Sequence, residues 1–525
     1  MKKRIALIGI LLPFFLHFLA GSADDWMNLL DKFSSIVSVV EANYYQPVDT
    51  EKLVYSSIRG TLETLDPHSY FLDPDNFARM REDFTGKFYG LGIQITKQED
   101  RIVILSAVEG TPAWRLGLQP GDVISHINGE STKPLSSFDA MQKLRGEKGT
   151  KVNVTIVREG LDKPLELTVI REEIPLFSVP YAFILQDGIG YIFVRNWAET
   201  TTDELEEKLT ALLGQGMKAL FLDLRGNTGG PLYQAVAVSD EFLPKGAKIV
   251  SVSGRNKVYD KEFFAIRDNQ YEELPLIILT NQGTASASEI VAGAVMDNDR
   301  GLIVGEDTWG KGLVQTVFPL APNMALALTT GKYYTPSGRS IQRDYTHIED
   351  YLMNKSTPPA DKREISYTLK GRKVLGQGGI TPDYEVKATL KPLTGELMFR
   401  GAFFSYGRKF AGHVTPLSKM YVFPKEEKLP ANNPPNKIVV GSDFVVSQEV
   451  LEDFKAYLQS LKIEFDVQKF KEAEGEIKRQ IEREVASAVW TVEEGMKVFM
   501  KTDPAVLKAL EVLPEAKKFV ESQNP

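Results

Sequence analysis

Residues 276–315 read LIILTNQGTASASEIVAGAVMDNDRGLIVGEDTWGKGLVQ. Residues 276–280 are an apolar run of strand length, and 281–287 are small and polar. Residues 288–297 carry Ile290, Val291, Ala294 and Val295 at helical spacing. The pattern predicts strand, tight loop and helix, with Ser286 at the mouth of the helix. A second apolar strand, 302–305, leads to Lys311 between Gly310 and Gly312, and a third, 313–318, leaves from there.

This arrangement has a chemical reading. The open N–H groups and dipole of a helix N-terminus favour an oxyanion, which makes the Ala287 N–H a candidate donor beside Ser286. Glycines on both sides of Lys311 let other backbone approach it, and a lysine desolvated there has its pKa lowered and can act as a general base. If 310–318 is extended, Lys311, Leu313 and Gln315 share one face, so Gln315 can hold the amine towards the serine. The same letters also spell a capping box, in which Ser286 caps the helix and Glu289 reaches back. A lysine between glycines is also commonly a solvated turn residue.

The combination narrows the choice. TASASE-IVAGAV, then GEDTWGKGLVQ, with serine and lysine 25 residues apart (311 − 286), resembles the carboxyl-terminal processing proteases, serine peptidases with a Ser/Lys dyad. The resemblance implies Ser286 as nucleophile, Lys311 as base and Gln315 as orienting residue, with no metal or organic cofactor. It also implies cleavage near the C-termini of protein substrates. Thr284 stands where serine is common, Trp309 where phenylalanine is usual, and Gly226-Asn-Thr228 where Asn-Asn-Pro is typical. None of these departures touches the dyad.

Upstream, residues 174–394 alternate α and β. A buried strand over 219–224 runs into DLRGNTGGPL at 223–232. There is no GxxxxGK[ST] or GxGxxG to make this glycine turn a nucleotide loop. The resemblance assigns one glycine N–H of this turn to the oxyanion, and Gly229 and Gly230 both qualify; Asp223 and Arg225 read as braces. KYYTPSGRSIQ at 332–342 and GGITPDYEV at 378–386 also resemble the family, and the polar stretch 343–372 between them reads as a surface excursion.

Residues 85–173 resemble a PDZ domain. FYGLGIQI at 88–95 reads as a carboxylate-binding loop followed by a strand that can take up a peptide by β-augmentation. Gly90, Leu91, Gly92 and Ile93 are the residues expected to hold the substrate C-terminus, with Leu91 and Ile93 lining an apolar pocket. GTPAWRLGLQPGDVISHINGE at 110–130 supplies a second signature, ending in an Asn128-Gly129 hairpin turn. Arg171, near the junction with the core, is the candidate for carrying a signal from this domain. Residues 24–84 read as helical, with a turn at LDPHSYF (65–71) in which His68 caps or packs. Residues 1–23 have the basic start, apolar run and small-residue end of a secretory signal, implying a periplasmic or otherwise extracytoplasmic protein.

Residues 395–525 match no motif, and 423–435 read as a linker. A long apolar stripe follows from Phe470 to Phe499, and Asp503-Pro504 looks like a cap and first helical residue. With every candidate catalytic group before residue 395, this region is expected to be dispensable for the chemistry and to set oligomeric state or access.

Length 525, net charge −8, no cysteine and five scattered histidines without HExxH exclude disulfides, a thiol nucleophile and a zincin, and give no support for nucleic-acid binding. The expected whole is a multidomain α/β protein. It has a ββα-stacked, crotonase- or ClpP-like peptidase core, an inserted PDZ domain, and helical N- and C-terminal regions. Its partners are protein substrates, with room for a homo-oligomer or an adaptor, and it meets a membrane only through an uncleaved signal segment. The rivals are a PDZ scaffold with an inert core, against which the intact serine, lysine and glutamine argue, and an esterase, which lacks GxSxG.

Overall fold

The computed structural model describes residues 8–158, 161–268, 271–320, 322–387, 390–423, 438–441 and 444–521, with backbone alone for 8–24 and 438–439. The chain divides into two compact units, one of residues up to Ala78 with Gln315–Thr329, the other of Arg79–Val314 with Thr330 onward.

The first unit holds the helices Ile8–Asn43 and Thr50–Glu63, the latter capped by Asp49. The 1–7 start of the signal segment lies outside the described residues, and 8–23 form the first turns of a helix that continues to Asn43. Among the described residues no helix is long and apolar enough to cross a membrane. The 65–71 stretch is a turn built on Asp66, whose carboxylate accepts the N–H groups of His68 and Ser69 and the Ser69 hydroxyl. Tyr70–Leu72 then pairs antiparallel with Ala325–Ala327.

The second unit contains two large sheets. The PDZ sheet runs Ile93–Gln98, Arg101–Ala107, Val123–Ile127, Lys151–Val157, Leu165–Ile170, all antiparallel, around a core that includes Ile102, Ile124, Ile156 and Val169. Asn128 and Gly129 take positive φ (51° and 81°), as the Asn-Gly turn requires. The chain enters and leaves this domain along one ribbon, Lys87–Gly90 against Glu172–Pro175.

The other sheet is ordered Tyr181–Gln186, Ile189–Phe193, Ala219–Asp223, Leu276–Thr280, Leu302–Gly305, Tyr384–Glu385; the first pair is antiparallel and the rest are parallel. Over 219–222, 276–279 and 302–304 its strands are apolar without interruption because both faces are covered. Leu220, Leu222, Leu276 and Ile278 face one core with the helices Thr201–Gly214, Leu232–Asp240 and Ala287–Asp297. Their neighbours Ala219, Phe221, Ile277 and Leu279 face a second core.

That second core corrects the expectation for the C-terminal region. It is closed by Met500, Ala505, Val506, Ala509, Val512, Leu513 and Ala516, chiefly from the helix Pro504–Glu521. Removing residues 395–525 would expose a whole sheet face, so the region is part of the fold of the core. The apolar stripe is also three helices, Val467–Glu472, Glu474–Val489 and Val492–Met500. Phe470, Ile477 and Ile481 pack in a helical core with Phe403, Tyr406 and Phe454, whereas Met496 and Phe499 pack against the sheet. From residue 424 the expected linker lies outside the described residues, and Phe423 is buried.

Candidate active site

In a parallel sheet the strand C-termini open together at one edge, where loops of neighbouring strands meet. Three adjacent strands end at Asp223, Thr280 and Gly305. Their loops are the glycine turn, the Ser286 loop and the Lys311 loop.

Ser286 precedes the helix Ala287–Asp297 with φ 55° and ψ −115° and makes no side-chain capping bond. An L-residue held there costs about 1–3 kcal/mol, a strain that clusters at functional sites. From Thr284 to Gly305 every residue is buried except Ser286, which is half-buried. The capping reading is met on the Glu289 side, where the Ser286 N–H donates to Glu289 Oε2 (2.8 Å).

Glu289 does more than cap. It is fully buried and also accepts the N–H groups of Gly310 (Oε1, 2.7 Å) and Lys311 (Oε2, 2.9 Å) and the Thr308 hydroxyl. One carboxylate oxygen thus holds the backbone nitrogens of both Ser286 and Lys311, within two hydrogen-bond lengths of each other. Burial pushes the Glu289 carboxyl up to about 7, against the pull of these four donors. The sequence signal was the capping-box glutamate; its reach across to the lysine loop was not readable.

The Lys311 loop is enclosed by backbone. A Cβ on Gly310 would fall 2.6 Å from the Arg343 side chain and 2.9 Å from Gly379 N, and one on Gly312 would fall 3.1 Å from Gln342 N. The two family-like segments do the holding. Gln342 accepts the Gly312 N–H (2.8 Å), Thr308 exchanges hydrogen bonds with Ile380, and the Tyr333 hydroxyl donates to Ser286 O (3.2 Å). The 343–372 stretch is not simply a surface excursion. Arg343 is fully buried, stacked over Trp309 (4.2 Å) and Tyr351 (4.8 Å), and the Trp309 indole N–H reaches the Tyr351 hydroxyl (3.0 Å), a bond phenylalanine could not make.

The third strand starts at Leu313, so Lys311 lies before it rather than on its face. Gln315, in the other compact unit, donates to Thr329 Oγ1 (3.3 Å), which in turn donates to Asp66 Oδ1 (3.1 Å).

The glycine turn is stitched to the serine loop. Asn227 O accepts the Ala285 N–H (2.9 Å) and the Ser288 hydroxyl (3.1 Å), and Asn281 Oδ1 accepts the Gly226 N–H (2.8 Å). Gly229 has φ 100°, and a Cβ there would fall 2.7 Å from Ser286 Cβ; its N–H donates to Asn227 Oδ1 (3.0 Å). Gly230 packs instead on Trp197, whose carbonyl oxygen would be 2.5 Å from its Cβ. Asp223 and Arg225 brace the turn: the guanidinium donates to Asp223 from Nε and Nη2, and the Tyr191 hydroxyl donates to Asp223 Oδ2 (2.6 Å). Burial works against the Arg225 charge, but the neighbouring carboxylates outweigh it and hold the group ionised.

In the PDZ domain, Gly90, Leu91, Gly92 and Ile93 line a cavity of about 530 Å³ together with Phe138 and Met141 of the helix Ser137–Leu144. The groove continues past the neck to Phe177, Pro180 and Arg195. Leu91 is itself part of the buried PDZ core. Arg171 is an internal brace: its guanidinium donates to Lys143 O, Leu144 O, Lys151 O and Thr150 Oγ1, all within the domain. Among the described residues no group of three or more His, Cys, Asp or Glu is placed to hold a metal ion.

The fold is thus a mixed α/β core, with a strained serine at the edge of a parallel sheet, joined to a PDZ domain. A model of peptidase family S41 matches residues 188–350, and one of the PDZ domain matches 103–158. The carboxy-terminal-processing protease of Bartonella bacilliformis is 40% identical over 317 residues, spanning 60% of this chain and 72% of that protein. CtpA of Bacillus subtilis is 34% identical over 323 residues, spanning 61% and 68%. Among solved structures, the photosystem II D1 C-terminal processing protease matches at 28% identity and TM-score 0.36, over 69% of this chain and 89% of that one. The chain belongs to the carboxy-terminal processing proteases of peptidase family S41, and it is a serine-type protease.

Proposed function

We propose that Ser286 is the nucleophile of this protease and Lys311 its general base. The observation that carries the reading is the strained, half-buried Ser286, fastened through Glu289 to the backbone of Lys311. Neutral Lys311 takes the Ser286 hydroxyl proton as Oγ adds to the peptide carbonyl, whose π electrons move onto oxygen. The Ala287 N–H receives that oxyanion. Gly229 is the second donor by its place against Ser286, exchanging Asn227 Oδ1 for the oxyanion; Gly230 is the other glycine of the turn. Collapse expels the amine, which takes the proton back from Lys311, and water releases the acyl group by the same steps.

The PDZ groove receives the substrate's C-terminal residues, its carboxylate at Gly90–Ile93 and its last side chain among the apolar lining. The five parallel strands and their covering helices support a crotonase-like reading. The 1–23 segment is read as an export signal, with cell fractionation as its check. Digestion of casein by the whole protein and by the Ser286→Ala and Lys311→Ala variants tests the dyad. Each variant is expected to lose activity by about four orders of magnitude or more while staying folded. Near-normal turnover by either would reject it.

A further inference from the structure

Asp503 stands just before the helix Pro504–Glu521, and its Oδ1 accepts the N–H groups of Ala505 (3.0 Å) and Val506 (3.1 Å). That is an N-cap, which needs one oxygen and no charge; asparagine serves as well. The carboxylate, 8% exposed, has a second partner that capping does not explain. Arg225 Nη1 donates to both its oxygens at 3.0 Å, across 278 residues of chain.

Arg225 lies in the glycine turn. Asp223 occupies Nε and Nη2, so Nη1 depends on Asp503 for a charged acceptor. A buried guanidinium that loses one of its carboxylates is left under-satisfied and shifts to recover a partner. Two residues on, Asn227 holds Ala285 through its carbonyl and Gly229 through its side chain, so a shift at Arg225 is transmitted to the peptide planes beside Ser286.

We propose that Asp503 is a positioning residue for the oxyanion side of the site, which makes the C-terminal helix a working part of the peptidase. The proposal rests on the assignment of Ser286 and Gly229 above. A small displacement of an oxyanion donor is felt where charge develops in the transition state, not in ground-state binding.

Asp503→Asn in the full-length protein keeps the cap and removes the charge. With a short unstructured peptide substrate, kcat is expected to fall about tenfold, less than the loss of a whole donor, with KM little changed. Affinity for a peptide boronate, which forms a tetrahedral adduct on serine, should fall in step. Asp503→Glu keeps the charge and should recover part of kcat. Glu493→Gln is the control: Glu493 also ties a C-terminal helix to the sheet, accepting the Ala182 N–H (3.2 Å), but away from the turn. It should lower thermal stability without changing kcat. All rates are taken well below each variant's melting temperature. Unchanged kcat in Asp503→Asn, or a fall matched by Glu493→Gln at equal loss of stability, overturns the proposal. Ser286→Ala is run alongside: if it remains active the underlying reading fails, and if it is dead while Asp503→Asn is normal, only the role of Asp503 fails.

Discussion

Two glycine-bearing loops do different jobs in this protein. In the PDZ loop the fold consumes carbonyls: Leu91 O accepts the Ala113 N–H (3.0 Å) and Gly92 O accepts the Val108 N–H (2.8 Å). A loop held by its carbonyls can turn N–H groups towards an anion. In the 223–230 turn the fold consumes N–H groups and side chains as well as carbonyls, through Asn281, Asn227 and the Asp223–Arg225–Asp503 chain. Such a turn is fixed in place before substrate arrives, and only the Gly229 N–H is proposed to exchange its partner, Asn227 Oδ1, for the oxyanion. The lesson is that glycine content marks close approach, and the hydrogen-bond partners decide whether the loop receives a ligand or braces a site.

The sharpest way to break this contrast is to add one methyl group to each loop. Gly229→Ala forces an L-residue to φ 100° with its Cβ 2.7 Å from Ser286 Cβ. It should cut kcat by about 10²–10³-fold, on the scale of a lost oxyanion donor, with PDZ binding intact. Gly92→Ala, at φ 82° with its Cβ 2.3 Å from Thr111, should instead weaken binding of a C-terminal peptide and spare the chemistry on a short substrate. Steady-state kinetics and peptide titration on both variants separate the two; identical phenotypes would erase the distinction.

The braced side also carries a titratable clasp. Glu289 is raised from 4.5 to about 7 by burial. Its folded-state carboxyl therefore binds a proton more tightly than the unfolded one. The stability it contributes is full below about 4.5 and is lost as pH rises through about 7, on the order of 3 kcal/mol across that window. Activity should run the other way. Only the carboxylate can accept all four donors, so acidification below about 7 loosens the Ser286 and Lys311 loops. Urea unfolding and kcat, each followed from pH 5 to 8, should show these opposite slopes in the wild type and a loss of both contributions in Glu289→Gln. Parallel profiles in the two proteins would remove Glu289 from the pH response.

The smallest effect expected is at the groove. Amidating a substrate's C-terminus removes the charge that the Gly90–Ile93 loop is proposed to bind, and should weaken binding by about 1–3 kcal/mol. It should leave the turnover of saturating substrate largely alone. Calorimetry with matched acid and amide peptides measures it, and equal affinities would move carboxylate recognition elsewhere.

The sequence by itself determined the elements that bury a periodic pattern. The strands Leu276–Thr280 and Leu302–Gly305 fall on the residues expected, and the helix expected from Ser288 begins one residue earlier, at Ala287. Unbroken apolar runs of four or five can satisfy a two-faced sheet, and a 3.6 period can satisfy one helix face. The glycines around Lys311 were legible too, because close approach limits the residue type, whereas the positive φ of Ser286 was not, since a serine does not announce it. Tertiary structure decided the polar partners. Glu289 looked like a local cap and proved to bind Lys311 backbone 22 residues away. Arg343 looked solvated and is stacked in the lysine loop, Arg171 looked like a messenger and is a brace, and Asp503 caps a helix while holding Arg225. Periodicity states how much of a segment is buried but not what lies opposite, and a polar side chain pairs by position in space, for which the sequence carries no period.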